Sequence, residues 1–111
     1  MVPFRRGFRD AKAALIAALE NGTYGHEPRE VLEEKNLLAI GEVSAAFVVE
    51  LLRKTTGTNY TSSPHHADAS VQVHVFKPTK SGQRWYVKAY FAPDASAVFV
   101  SVHRTRGISL P

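Results

Sequence analysis

The chain has 111 residues, 44% hydrophobic and 10% aromatic, which is enough for one compact domain with a core and too few for two. It has no cysteine, so disulfide frameworks, thiolate nucleophiles and cysteine-based zinc sites are excluded, and a reducing cytoplasm is compatible. The net charge of +4 is segregated: residues 1–68 hold eight basic and nine acidic side chains, residues 69–111 hold six basic and only Asp94, and a one-signed segment of that kind attracts polyanions.

From Phe8 to Glu20, the residues Phe8, Ala11, Leu15, Ala18 and Leu19 recur at three- and four-residue steps. That period predicts a helix with one buried stripe, ended by the Asn21-Gly22 turn signal. The preceding residues lack the continuous apolar region and cleavage site of a signal peptide, and no run is long enough to span a bilayer, so a soluble cytoplasmic protein is expected. Pro28 suits the first turn of a second helix through about Asn36, with Glu27 and Glu30 near its positive end and Lys35 near its negative end. Glu33 and Glu34 point about 100° apart on such a helix and read as a solvated face. Gly41 precedes a third helix over 42–54, where Val43, Ala46, Phe47 and Leu51 line an apolar surface and Arg53 and Lys54 fill the last turn.

The Thr-, Ser-, Gly- and Pro-rich residues 55–70 read as a long loop. Three runs of two-residue period follow, at about 70–77, 83–91 and 97–104, separated by Pro78 to Gly82 and Pro93 to Ser96. An antiparallel meander is the economical topology. The whole is an α+β domain with N-terminal helices packed on a C-terminal antiparallel sheet.

Strand parity separates two faces. Gln83, Trp85, Val87, Ala89 and Phe91 share one, and Arg84, Tyr86, Lys88 and Tyr90 the other. In the flanking runs Val71, Val73 and Val75 oppose Gln72, His74 and Phe76, while Val98, Val100 and Val102 oppose Phe99, Ser101 and His103. If the valines pack on the helices, His74, Tyr86, Lys88 and His103 project together from the other side. Cations between flat rings suit RNA, because ammonium and guanidinium groups neutralise phosphate and aromatic rings stack on splayed bases. Imidazole adds proton transfer near neutral pH. His65, His66, Asp68 and His74 match no zinc spacing, so neither metal nor cofactor is expected.

The run NGTYGHEPREVLEEKNLLAIGEVSAAFVVELL and the later QVHVFKP, GQRWYVK and VSVH, taken in order, resemble MqsR-like toxins of bacterial toxin–antitoxin pairs. These are mRNA interferases of the RelE-like microbial ribonuclease architecture. The resemblance extends from about Asp10 to His103. It implies that Tyr86 and Lys88 match the family's tyrosine and lysine in GQ-x-Y-x-K, and that Gln72 matches the family's glutamine with a one-residue offset. His103 stands where the family has a lysine. The family's lysine near its first sheet hairpin has no clean counterpart, with His65 or His66 as substitutes. It further implies single-stranded mRNA as substrate and a cognate antitoxin as partner.

On this reading His103 is the general base or acid, Tyr86 positions or protonates the leaving oxygen, Lys88 contacts phosphate, and His74 and Gln72 orient the ribose or read the base. Lys77, Arg84, Arg104, Arg106 and Tyr90 complete the RNA-binding set. Two alternatives stay open: a non-catalytic nucleic-acid-binding module, and a protein-interaction module that uses the basic sheet face.

Overall fold

A computed structural model describes residues 6–28 and 35–105. The predicted helix over 28–36 and Arg106 therefore lie largely or wholly outside the described residues. Helix α1 spans Phe8–Asn21 and buries Ala11, Leu15, Ala18 and Leu19, the predicted stripe. It stops at Gly22, whose left-handed φ of 72° costs little only because glycine has no Cβ. Helix α2 spans Ala45–Lys54 and starts three residues later than the periodicity suggests, because the Ser44 side chain caps it by accepting from Phe47 N–H at 3.1 Å. Val48, Val49, Leu51 and Leu52 are its buried side. Lys12 of α1 donates to the carbonyls of Arg53 and Thr55, at 3.3 and 3.0 Å, satisfying groups that the end of α2 leaves open and tying the two helices together.

The sheet has six strands: β1 Tyr24–His26, β2 Tyr60–Pro64, β3 Gln72–Phe76, β4 Thr79–Lys80, β5 Gln83–Phe91 and β6 Ala97–Arg104. Their order is β1-β6-β5-β3-β2, with β4 forming a small hairpin on β5. The β3–β5–β6 part is the predicted antiparallel meander, with β5 and β6 at the expected bounds. Three strands escape sequence reasoning, among them the two-residue β4, which lies in the segment Pro78 to Gly82 read as a loop. Strand β1 is three residues long and runs parallel to β6, so the sheet is mixed. Residues 55–70 are not one loop: a short 3₁₀ turn over Gly57–Asn59 leads into β2, which pairs with β3. YTSSP has the polarity and terminal proline of an edge strand, which single-sequence composition does not distinguish from a loop.

One continuous core joins α1 and α2 to Phe76, Trp85, Val87, Ala89, Ala97, Phe99 and Val102. The parity of β5 therefore holds, and so does that of β6 from Ser101 to His103, but β3 and the start of β6 take the opposite phase. In β3, Phe76 lies opposite Val87 and His74 opposite Ala89, so Phe76 and His74 face the helices while Val73 and Val75 face away. The larger ring of Phe76 takes the inward phase that the valines were expected to hold, since an aromatic side chain buries more area than valine. In β6, Ala89 pairs with Phe99 but Lys88 pairs with Ser101, which leaves Val100 as the extra residue of a bulge. The bulge reverses the phase: Ala97 and Phe99 point inward before it and Val102 after it, while Ser101 and His103 point outward with Tyr86 and Lys88.

Candidate functional site

On the sheet face turned away from α1 and α2, Tyr86, Lys88 and Tyr90 form a row along β5. Tyr86 and His103 are cross-strand partners, and their rings stack with centroids 5.1 Å apart at 18°. His103 Nδ1 lies 2.9 Å from the Arg104 carbonyl oxygen, which can only accept. The proton of the neutral ring is thus on Nδ1, and Nε2 carries the lone pair. Both rings and Lys88 are half-buried.

Lys88 also lines a cavity of about 520 Å³, with Glu27, Lys35, Ser63, His65 and His66 among the polar side chains around it. The volume is in the range of small-ligand sites. Glu27 Oε1 lies 3.1 Å from His65 Nε2. Ala67 N–H donates to His65 Nδ1 at 3.0 Å, so Nε2 carries the ring proton and donates to the carboxylate. Tyr90 meets the same group: burial, and then its hydrogen bond to Glu27 and that residue's charge, raise the phenol above its ordinary pKa. The His65 ring stands edge-on to Tyr90 at 5.2 Å and stacks on exposed His66 at 4.7 Å. Glu27 and His65 come from β-strand ends 38 residues apart. The sequence marks Glu27 only as a charge at a helix start and His65 only as a member of a His/Asp group without zinc spacing or, by the family resemblance, as a substitute for the missing lysine; it does not announce their pairing.

The remaining predicted residues fall elsewhere. His74 is 1% exposed on the helix side and is corrected from the open face. Its Nδ1 is 2.7 Å from the Tyr60 hydroxyl and its ring meets Phe91 edge-on. Burial, reinforced by the Arg6 charge and opposed by Asp10, lowers its pKa to about 4. Gln72 shares that inward phase. Its amide accepts from Arg6 N–H and donates to Arg6 C=O, both at 3.0 Å, so it fastens the entry of α1 to the sheet. Arg104 is also corrected: it pairs with Trp85 and lays its guanidinium over the indole at 4.9 Å, on the face opposite His103. Arg84 is exposed and keeps the phase of Tyr86, while Lys77 is exposed just beyond β3. Among the described residues, no three ligating side chains converge as a metal site would need.

No helix among the described residues is long and apolar enough to cross a membrane. Comparison of the chain with protein-family models, with curated proteins and with solved structures finds no match.

Proposed function

We propose that this chain is a toxin-type endoribonuclease, an mRNA interferase of the MqsR-like, RelE-like kind, which cleaves single-stranded RNA without metal and is held in check by a cognate antitoxin. The observation that carries this reading is the stacked Tyr86–His103 pair beside Lys88 on one face of the sheet. Three groups of different chemistry occupy adjacent positions: a proton acceptor at His103 Nε2, a phenol and an ammonium.

In the reaction His103 Nε2 takes the ribose 2′-hydroxyl proton, and the 2′-oxygen forms a bond to phosphorus. The Lys88 ammonium balances the charge that builds on the non-bridging oxygens. As the bond from phosphorus to the 5′-oxygen breaks, the Tyr86 hydroxyl gives that oxygen a proton, leaving a 2′,3′-cyclic phosphate. His74 takes no part, because it lies on the other face. Arg84 and the segregated positive charge of the second half of the chain supply the long-range attraction for a polyanion.

The test is incubation of the purified chain with a single-stranded RNA oligonucleotide in the presence of a chelator. Fragments ending in a 2′,3′-cyclic phosphate are expected, and RNA that stays intact at high enzyme excess overturns the reading. The withdrawal of His74 and Arg104 from the face favours one competitor, a non-catalytic RNA-binding module, for which RNA would bind but remain whole.

A further inference from the structure

Lys88 shares its cavity with a second lysine, Lys35. The backbone from which Lys35 projects is fixed at the next residue, because Asn36 is fully buried and bridges to Val102 of β6. Two other lysines are engaged within the fold: Lys12 donates to the carbonyls at the end of α2, and Lys80 pairs with Glu50 at 3.0 Å. Among the described residues, the side chains of Lys35 and Lys88 have no hydrogen-bond or ion-pair partner. Two such ammonium groups on one cavity suit a ligand with two separate anionic centres.

The same cavity has a flat wall. His65 is held from both ring nitrogens, by Ala67 N–H at Nδ1 and by Glu27 at Nε2, and its ring stands edge-on to Tyr90 at 5.2 Å. Glu27, the only acid among the described lining residues, thereby serves to hold the wall. His66 stacks on His65 with centroids 4.7 Å apart at 16°, and is itself exposed. His65 covers one face of the His66 ring, and the exposure of His66 leaves the rest of that ring accessible from the cavity. A base laid on it would extend an existing stack, an interaction that any base can make because every base has a π-face.

We propose that this cavity holds one nucleotide of an RNA strand together with the phosphates on both sides of it: the scissile phosphate at Lys88, the neighbouring phosphate at Lys35, and the base stacked on His66. This rests on the RNA-cleaving reading for the identity of the strand. Phosphate contacts position a nucleic acid without reading its sequence. Two of them, one nucleotide apart, set where the strand lies along the sheet and so which linkage is presented to Tyr86 and His103. Lys35 and His66 are binding residues, and His65 is a positioning residue that acts through His66.

The experiment is calorimetric titration of the full chain with adenosine 3′,5′-bisphosphate, 3′-AMP and 5′-AMP, alongside Lys35→Met, His66→Ala and His66→Phe. Both residues are exposed, so these variants should keep wild-type melting. Wild-type protein is expected to bind the bisphosphate about tenfold more tightly than either monophosphate, the effect of a second charge-assisted contact. Lys35→Met should bring the bisphosphate to the level of the monophosphates. His66→Ala should weaken all three ligands by about fivefold or more, and His66→Phe, which keeps a flat ring, should not. On single-stranded RNA, Lys35→Met should make the slope of log affinity against log salt shallower by about 0.7. No binding, equal binding of bisphosphate and monophosphates, a gain that survives Lys35→Met, no effect of His66→Ala, or an unchanged salt slope overturns the site. RNA cleavage by the same preparations separates the two ideas: a Lys35-dependent gain with RNA left whole removes only the nuclease reading, and cleavage without that gain removes only the two-phosphate site.

Discussion

The imidazole of His103 lies nearly parallel to the phenol of Tyr86, 18° between planes and 5.1 Å between centroids, because a bulge at Val100 sets the phase in which Tyr86 and His103 face each other across β5 and β6. In an unbulged register continuing from the Ala89–Phe99 pair, Val102 would stand opposite Tyr86 and His103 would turn to the helix side. The contact also fixes where a proton acceptor sits relative to Lys88.

His103→Ala should lower RNA cleavage by a factor of roughly 10² to 10⁴, the usual contribution of a positioned acid or base. RNA affinity measured by fluorescence anisotropy should fall far less, since the Lys88 and Arg84 charges that meet phosphate are untouched. Undiminished cleavage by the folded variant would remove His103 from the chemistry.

Lys88→Met keeps the apolar stem of the side chain and removes its charge. If the ammonium meets a phosphate, the slope of log affinity against log salt for single-stranded RNA should become shallower by about 0.7. The same measurement on Arg104→Met should show no such change, because that guanidinium lies over Trp85 on the opposite face. Equal effects of the two substitutions would contradict the assignment of faces.

His74 couples stability to pH. Its pKa in the folded chain is about 4 against an ordinary 6.5, so between those values the unfolded chain binds more protons. Stability is therefore fully present above about pH 6.5 and falls as pH drops toward 4, by roughly 3 kcal/mol at most from this group. Urea unfolding from pH 7 to pH 4 checks this. His74→Gln, which cannot charge, should flatten the dependence over that window, and an unchanged slope would show that other groups dominate it.

Phe99 is fully buried in the core and meets Tyr24 edge-on at 5.7 Å, joining β1 to β6. Phe99→Ala should cost about 3–5 kcal/mol through lost burial and the cavity left behind. A shift in the denaturant midpoint corresponding to less than about 1 kcal/mol would mean that the site collapses around the smaller residue.

Much of the scaffold was legible locally. The α1 stripe, and β5 and β6, follow from periods of 3.6 and 2 that each segment carries in its own side chains, whereas for α2 the sequence shows a helix but not its buried side: Val48, Val49 and Leu52 join Leu51 there and Ala46 is exposed. Strands β1 and β2 were not legible, since one is three residues long and the other is a polar edge, and both exist through pairing with distant strands. The Glu27–His65 pair shares the difficulty, being a contact across 38 residues that neither local sequence announces.

By itself the sequence determined which residues of β5 alternate, hence that Tyr86 and Lys88 share a side, and that positive charge gathers in the second half of the chain. Only the tertiary structure decided which side His74, Gln72 and Arg104 take, and that Glu27 and His65 reach the Lys88 cavity. A two-residue period is a local property, but its phase against the helices is chosen by the total area buried across all strands. Phe76 outweighs the valines in β3, and one inserted residue at Val100 resets β6.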